Sequence, residues 1–204
     1  MLVVVLCAVG VMSPLVALRW PASLLLHKWR LPLLIWAALA LQVVALEVAM
    51  PKVLAASLHV STYAVAFAFL WLNRRVAGVL VVAAGAVSNG VVIVLNGGTL
   101  PASAAAVKAA GLDGDLAFAN SGVLDHPVLP WLGDVFAWPA PLPLANTFSV
   151  GDVLIVVGVF VAAWVGSRRL GAALTMPGQA PAAASTNETT DAPTDAPTDA
   201  ATDH

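Results

Sequence analysis

Charge is scarce in this chain. Only 10% of its 204 residues are Asp, Glu, Lys or Arg, against about a quarter in an ordinary soluble domain. A water-soluble fold of this length has no means of covering the 60% that are apolar, so hydrocarbon is the expected solvent for much of the surface. The net charge of −2 gives no electrostatic hold on a phosphate backbone, which argues against a nucleic-acid partner. A single cysteine, Cys7, excludes an intramolecular disulfide and a Cys-based zinc site. Lying inside an apolar run, it reads as helix packing. His59, His126 and Asp125 lack the ligand spacing of a metal motif, so neither a metal nor another cofactor is expected. No Lys or Arg precedes the apolar run Leu2–Val11, whereas a cleavable signal opens with positive charge. The first basic residue, Arg19, follows the run, as expected for an uncleaved first span with its N-terminus outside.

What the chain does have is apolar length. Crossing the hydrocarbon takes about 20 apolar residues, with a range of roughly 17 to 25. Five runs qualify: Leu2–Leu18, Leu31–Ala49, Val53–Leu72, Val76–Leu95 and Val150–Gly166. The expectation is an all-α polytopic membrane bundle of about five transmembrane helices over residues 1–170. An external loop would cover 96–149, and an Ala/Pro/Thr/Asp-rich tail over 171–204 would stay disordered. Pro14 and Pro32 fall near helix ends, where proline does least damage, and Pro51 marks a tight turn. Seven of the nine basic residues (Arg19, Lys28, Arg30, Arg74, Arg75, Arg168 and Arg169) fall on one side of this arrangement. Lys52 and Lys108 fall on the other, with Asp113, Asp115, Asp125 and Asp134. The positive-inside rule therefore sets the tail in the cytoplasm of a cell whose plasma membrane holds the chain. The tryptophans near the span ends and in the loop read as interfacial anchors. Within the loop, Pro101–Ala110 reads as a short helix stopped by Gly111, and the apolar Leu129–Pro139 stretch should lie against the membrane or dip into the bundle.

Polar groups at membrane depth are costly and mark candidate sites. Glu47, His59, Asn89, Asn96 and Asp152 all lie toward the outer ends of their spans, whereas the inner half holds little beyond Gln42. Asn89 and Asn96 are two helical turns apart and share a face. Each has a packing explanation as well. Glu47 can snorkel or pair with Lys52, His59 can hydrogen-bond between helices, and Asn89 lies among small residues that permit close helix contact. In S-V-G-D, Ser149 and Asp152 have capping-box spacing.

Several motifs in order, NGGTLP (Asn96–Pro101), AAGLDGD (Ala109–Asp115), Asp125–His126, WLGDVF (Trp131–Phe136) and NTFSVGDVLIVVG (Asn146–Gly158), resemble an uncharacterised family of bacterial multi-pass membrane proteins common in actinobacteria. That resemblance implies a membrane protein and no activity. More locally, TFSVGDVLIVVG is similar to the last span of lipoprotein signal peptidases. By that resemblance Asp134 and Asp152, eighteen residues apart, take the places of the catalytic aspartates, and the Trp131–Trp138 segment would exclude water above them. The chain lacks that family's Gly-Asn-x-x-Asp-Arg stretch, and no arginine occurs between Arg75 and Arg168.

Three functions of different classes follow. The leading one is a non-enzymatic envelope scaffold or assembly module whose partners are the bilayer and another membrane protein. The second is an aspartyl peptidase-like hydrolase using Asp134 and Asp152, which should then approach each other beneath Leu129–Pro139 with Asn89 or Asn96 close by. The third is a small proton-linked carrier using Glu47, His59 and Asp152, which would need a polar path running inward past Gln42.

Overall fold

The computed structural model of the chain describes residues 2–48, 50–112 and 121–170. Asp113, Asp115 and the whole 171–204 tail lie outside the described residues, as do the side chains of Glu47 and Lys52.

Helices form where the apolar runs were expected, and proline and glycine trim their ends. Helix α1 covers Leu2–Met12 and tightens into a 3-10 turn over Ser13–Ala17 at Pro14, closed by Leu18 at φ 53°. Two-residue strand β1 (Arg19–Trp20) and one-turn helix α2 (Ala22–Leu25) follow. Helix α3 (Leu33–Glu47) starts after Pro32, and α4 (Lys52–Leu72) starts after Pro51, since proline's fixed φ suits a first turn and its missing N–H costs nothing there. Helix α5 (Val79–Leu95) begins only after Gly78, whose φ of 82° no other residue adopts cheaply. Strand β2 (Leu100–Pro101), helix α6 (Ala104–Ala109), strand β3 (Ser121–Gly122), a 3-10 turn (Pro130–Leu132) and strands β4 (Phe136–Trp138) and β5 (Asn146–Phe148) make up the long connection. Helix α7 (Val150–Val165) and strand β6 (Arg168–Arg169) end the described chain.

Among the described residues one helix, at Val53–Leu72, is long and apolar enough to cross a membrane. The other long helices are apolar but have 10–17 residues in the stretches that qualify. At 1.5 Å per residue, the 16 residues of α7 span about 24 Å, short of a ~30 Å hydrocarbon layer.

The five long helices form a row: α3 packs on α4, α4 on α5, α5 on α7 and α7 on α1. The α5–α7 crossing is set by glycine. A Cβ on Gly85 would collide with the Gly151 carbonyl, and one on Gly158 would sit 2.8 Å from Gly78 O and 2.7 Å from Val82 N. Gly78 and Gly85 are seven apart, as are Gly151 and Gly158, so the pairs meet in antiparallel register two turns apart on each helix. Such contacts let two backbones approach closely without a large side chain between them. Burial follows the same rule. Ala38, Ala45, Ala83, Ala162 and Ala163 are buried, while Leu33, Trp36, Val53, Leu80, Val94 and Val165 are exposed.

The loop departs from an all-α reading. Gly122 O accepts from Ala102 N (2.7 Å), Pro101 O accepts from Asp134 N (2.9 Å), and β4 pairs antiparallel with β5. With β2 parallel to β3 and Asp134 bridged to Ala102, four short segments lie side by side in the order β3, β2, 134–138, β5. Polar periodicity here was too short to separate from loop. The expected helix survives as α6, beginning at Ser103, whose side chain accepts from Ala106 N, because Pro101 is taken into β2. It does stop at Gly111, at φ 65°.

Gly85→Ala and Gly158→Ala each force the α5–α7 backbones apart and should cost about 1–3 kcal/mol. Val87→Ala, on an exposed position of α5, should stay within about 0.5 kcal/mol. Thermal unfolding of the purified variants checks this, and equal losses at all three positions would refute the close-approach account.

Candidate functional site

Strand β5 runs directly into α7, and the junction carries the main polar network. Thr147 and Ser149 point to the same side because strand side chains alternate. Ser149 caps α7: its hydroxyl accepts from Asp152 N (3.0 Å), and its own N–H donates to Asp152 Oδ2 (2.9 Å), a complete capping box. The same hydroxyl donates to Asn89 Oδ1 on α5 (2.9 Å), and Asn89 Nδ2 donates to Asp152 Oδ1 (3.0 Å). Asn89 and Ser149 are buried, and the ring of four hydrogen bonds leaves both Asp152 oxygens engaged. This ring lies beside the Gly85–Gly151 crossing, where a Cβ on Gly151 would strike the Asn89 amide.

Asp134 sits two elements away, 5% exposed. Its backbone belongs to the β2 ladder, and Ser103 N donates to its carbonyl (3.0 Å). Its Oδ2 accepts from Ser121 Oγ in β3 (2.6 Å) and Thr147 Oγ1 in β5 (3.3 Å). One carboxyl therefore ties both outer segments of the platform to its centre. Its Oδ1 is buried and has no hydrogen-bond partner among the described residues. Burial pushes this carboxyl up to about 6; the Ser121 hydrogen bond pulls against that rise, the charge of Asp152 adds to it, and the Thr147 bond opposes it.

Asp134 and Asp152 thus share a neighbourhood, linked through Thr147 and Ser149, but no hydrogen bond joins their carboxyls among the described residues. The other expected members do not gather there. Asn96 clamps the loop: Nδ2 donates to Val128 O (2.9 Å) while Val128 N donates to Oδ1 (2.8 Å). His59 is buried on α4 against the Tyr63 ring (centroids 5.5 Å), and neither ring nitrogen has a hydrogen-bond partner among the described residues. The nearby Thr62 hydroxyl lies 2.9 Å from Gln42 Oε1 and 2.6 Å from the His59 carbonyl. Glu47 closes α3, with its side chain outside the described residues. Asp125 and His126 are exposed. The Leu129–Pro139 stretch is part of the platform, with Leu129 and Leu132 packed on the Val92–Ile93–Leu100 core and Trp131 63% exposed. Sequence reasoning missed Ser121 and Thr147. Thr147 had a signal, being two residues before the cap in a strand-like stretch, whereas Ser121 had none. No group of three or more His, Cys, Asp or Glu among the described residues could hold a metal ion.

Residues 24–164 match the model of a family of unknown function (DUF5317), and the chain belongs to that family. The matched span includes Asn89, Asn96, Asp134, Ser149 and Asp152. An uncharacterized protein of Thermotoga maritima is 36% identical over 95 residues, which cover 46% of this chain and 54% of the relative. The alignment therefore spans about half the length of that curated relative. No solved structure matches the chain.

The raised carboxyl of Asp134 sets a direction for pH. Its native state holds the proton more tightly than the unfolded chain, so this group's contribution is fully present below about pH 4 and is lost as pH rises through about 6. The difference between wild type and Asp134→Asn, followed as thermal stability from pH 4 to 8, should change by up to about 3 kcal/mol in favour of Asn at the alkaline end. A flat difference would show that Asp134 keeps an ordinary carboxyl.

Proposed function

We propose that this member of a family of unknown function is a multi-span membrane module, without catalytic activity, that presents the loop platform outside the plasma membrane for assembly with another membrane protein. The observation that carries the membrane reading is the inverted burial of the bundle. Beyond the small Val92–Ile93–Leu100 core, alanine and glycine take most of the close helix contacts while many valines, leucines and tryptophans face outward, a distribution suited to lipid and costly in water. Helices α1, α3, α5 and α7 would cross with their end segments included, N-terminus outside and tail in the cytoplasm. The scaffold reading is supported by the ordinary structural work of the polar groups. Asp152 completes a capping box, Asn89 joins α5 to α7, and Asn96 fixes the loop to α5.

The unpartnered Oδ1 of Asp134 favours one other reading, a membrane hydrolase. In it a protonated Asp134 would polarise a carbonyl while the Asp152 carboxylate activated water. The engaged oxygens of Asp152 weigh against it. A proton-linked carrier has less support, since α3 from Leu33 to Leu41 and α4 from Ala64 to Leu72 carry no charged or amide side chain.

Topology is tested by single cysteines in Cys7→Ala background. Cysteines at Val123 and Val128 should label with an impermeant reagent in intact cells, and cysteines at Ala77 and Leu170 should label only after lysis. The reverse pattern, or labelling of all four in intact cells, sinks the five-span arrangement. For function, Asp134→Asn and Asp152→Asn should both complement a deletion strain at normal protein levels, judged by envelope composition and membrane lipoprotein profile. Loss of complementation in both, with protein levels held, would favour the hydrolase.

A further inference from the structure

The end of the bundle opposite the loop platform is basic, and its chemistry is unused by anything above. Several contacts close this end into one floor. Ser23 N donates to Gly166 O (3.1 Å), and Ser23 Oγ donates to Ala162 O (2.8 Å), docking α2 on the end of α7. Arg30 N donates to Asn73 Oδ1 (2.9 Å) while Asn73 Nδ2 donates to Arg30 O (3.1 Å), fixing the approach to α3 onto the end of α4. Strands β1 and β6 pair antiparallel, which sets Arg19 opposite Arg169 and Trp20 opposite Arg168.

That pairing is unfavourable on its own terms, because like charges directly opposite destabilise a two-stranded ladder. Arg19 is committed to Ser167, with Nε 2.8 Å from Oγ and Nη2 2.7 Å from the carbonyl. No acid relieves the arginines locally: the described segments that build this end, 13–32, 72–78 and 165–170, contain no Asp or Glu. Between α2, the α4–α5 turn and the end of α7 lies a cavity of about 630 Å³. His27, Arg75 and Arg168 line it, with Ser23 and Ser167 at its wall. The side chains of His27, Arg75 and Arg168 make no hydrogen bond to any described residue. A concave site with two guanidinium forks, an imidazole and no acid among its described lining residues is complementary to one kind of ligand, a compact oxyanion held by several N–H donors.

We propose that this cavity binds a phosphate group through Arg75, Arg168 and His27, with the phosphate of an anionic phospholipid as its natural source. The phosphate chemistry rests on the cavity alone. The lipid source rests on the membrane reading and on the exposed apolar side chains at this end, Leu25, Leu26, Trp71, Trp164 and Val165. These would let acyl chains run along the helices below a headgroup in the cavity.

The test uses the full chain in neutral detergent, with intrinsic tryptophan fluorescence following Tm. Phosphatidylglycerol, phosphatidylcholine and sodium phosphate are titrated separately, the last against sodium chloride of equal ionic strength. Phosphatidylglycerol should raise Tm by several degrees and phosphatidylcholine should not. A rise with inorganic phosphate as well identifies the phosphate group as sufficient, and a rise with the anionic lipid alone identifies the lipid as the ligand. Arg75→Gln and Arg168→Gln should each weaken the half-saturation point about fivefold, and His27→Gln should weaken it less. Arg74→Gln should leave it unchanged, because that guanidinium stacks on Trp71 at 4.7 Å and donates to the Trp71 carbonyl. These exposed substitutions leave the unliganded Tm as the check on folding. Equal shifts with both lipids, no shift with either anionic lipid or phosphate, or wild-type binding by Arg75→Gln and Arg168→Gln overturns the proposal. Should the protein prove soluble without detergent, the membrane reading fails and the phosphate arm still decides the site.

Discussion

The close crossing of α5 and α7 is the constraint on which the rest depends. Two pairs of glycines, Gly78 with Gly158 and Gly85 with Gly151, allow the backbones to touch. Only at that separation can the short amide of Asn89 reach both Ser149 and Asp152 on the facing helix. The polar ring and the glycine contacts are therefore one device. Dispersion at the crossing brings the backbones together, and the hydrogen bonds fix their rotation and register, which apolar contact alone leaves loosely specified.

From that crossing the loop platform is hung in order. Ser149 caps α7, Thr147 lies two residues before it in β5, and Thr147 donates to the carboxyl of Asp134. Asp134 in turn holds Ser121 and the β2 ladder, and Asn96 holds the far side of the loop to the end of α5. A connection of this length would otherwise carry a large ordering cost. It is met by a small number of side-chain bonds to short strands and by Leu129 and Leu132 resting on the Val92–Ile93–Leu100 core. Among the described residues, Asp125, Asp134 and Asp152 lie at the platform end and Arg19, Arg75, Arg168 and Arg169 at the opposite end, so the described bundle is polarised along its helices.

The helices were legible residue by residue. The runs Leu31–Ala49, Val53–Leu72, Val76–Leu95 and Val150–Gly166 became α3, α4, α5 and α7 with ends moved by Pro32, Pro51 and Gly78. The capping box at Ser149 and Asp152 was legible too, because its two hydrogen bonds lie within four residues of sequence. The strands were not. Each is two or three residues long and exists through partners elsewhere in the chain, from Trp138 with Asn146, across a tight connection, to Arg19 with Arg169, near opposite ends of the described chain. No local period encodes such pairings. A shared helical face placed Asn89 and Asn96 together, yet they serve different partners, since periodicity gives the direction of a side chain and not what stands opposite it.

Sequence by itself determined the apolar content, the five helical segments, the clustering of basic residues at alternate span ends and the cap of the last helix. Each is a property of composition or of neighbours within a turn or two, where short-range sterics and hydrogen bonding decide. Tertiary structure alone decided which helices touch, that Asp134 lies buried with one oxygen unpartnered among the described residues while both oxygens of Asp152 are engaged, and that His27, Arg75 and Arg168 share one cavity. Those outcomes depend on closing long stretches of chain around glycine contacts, and the free energy of that closure belongs to the assembled packing rather than to any one segment.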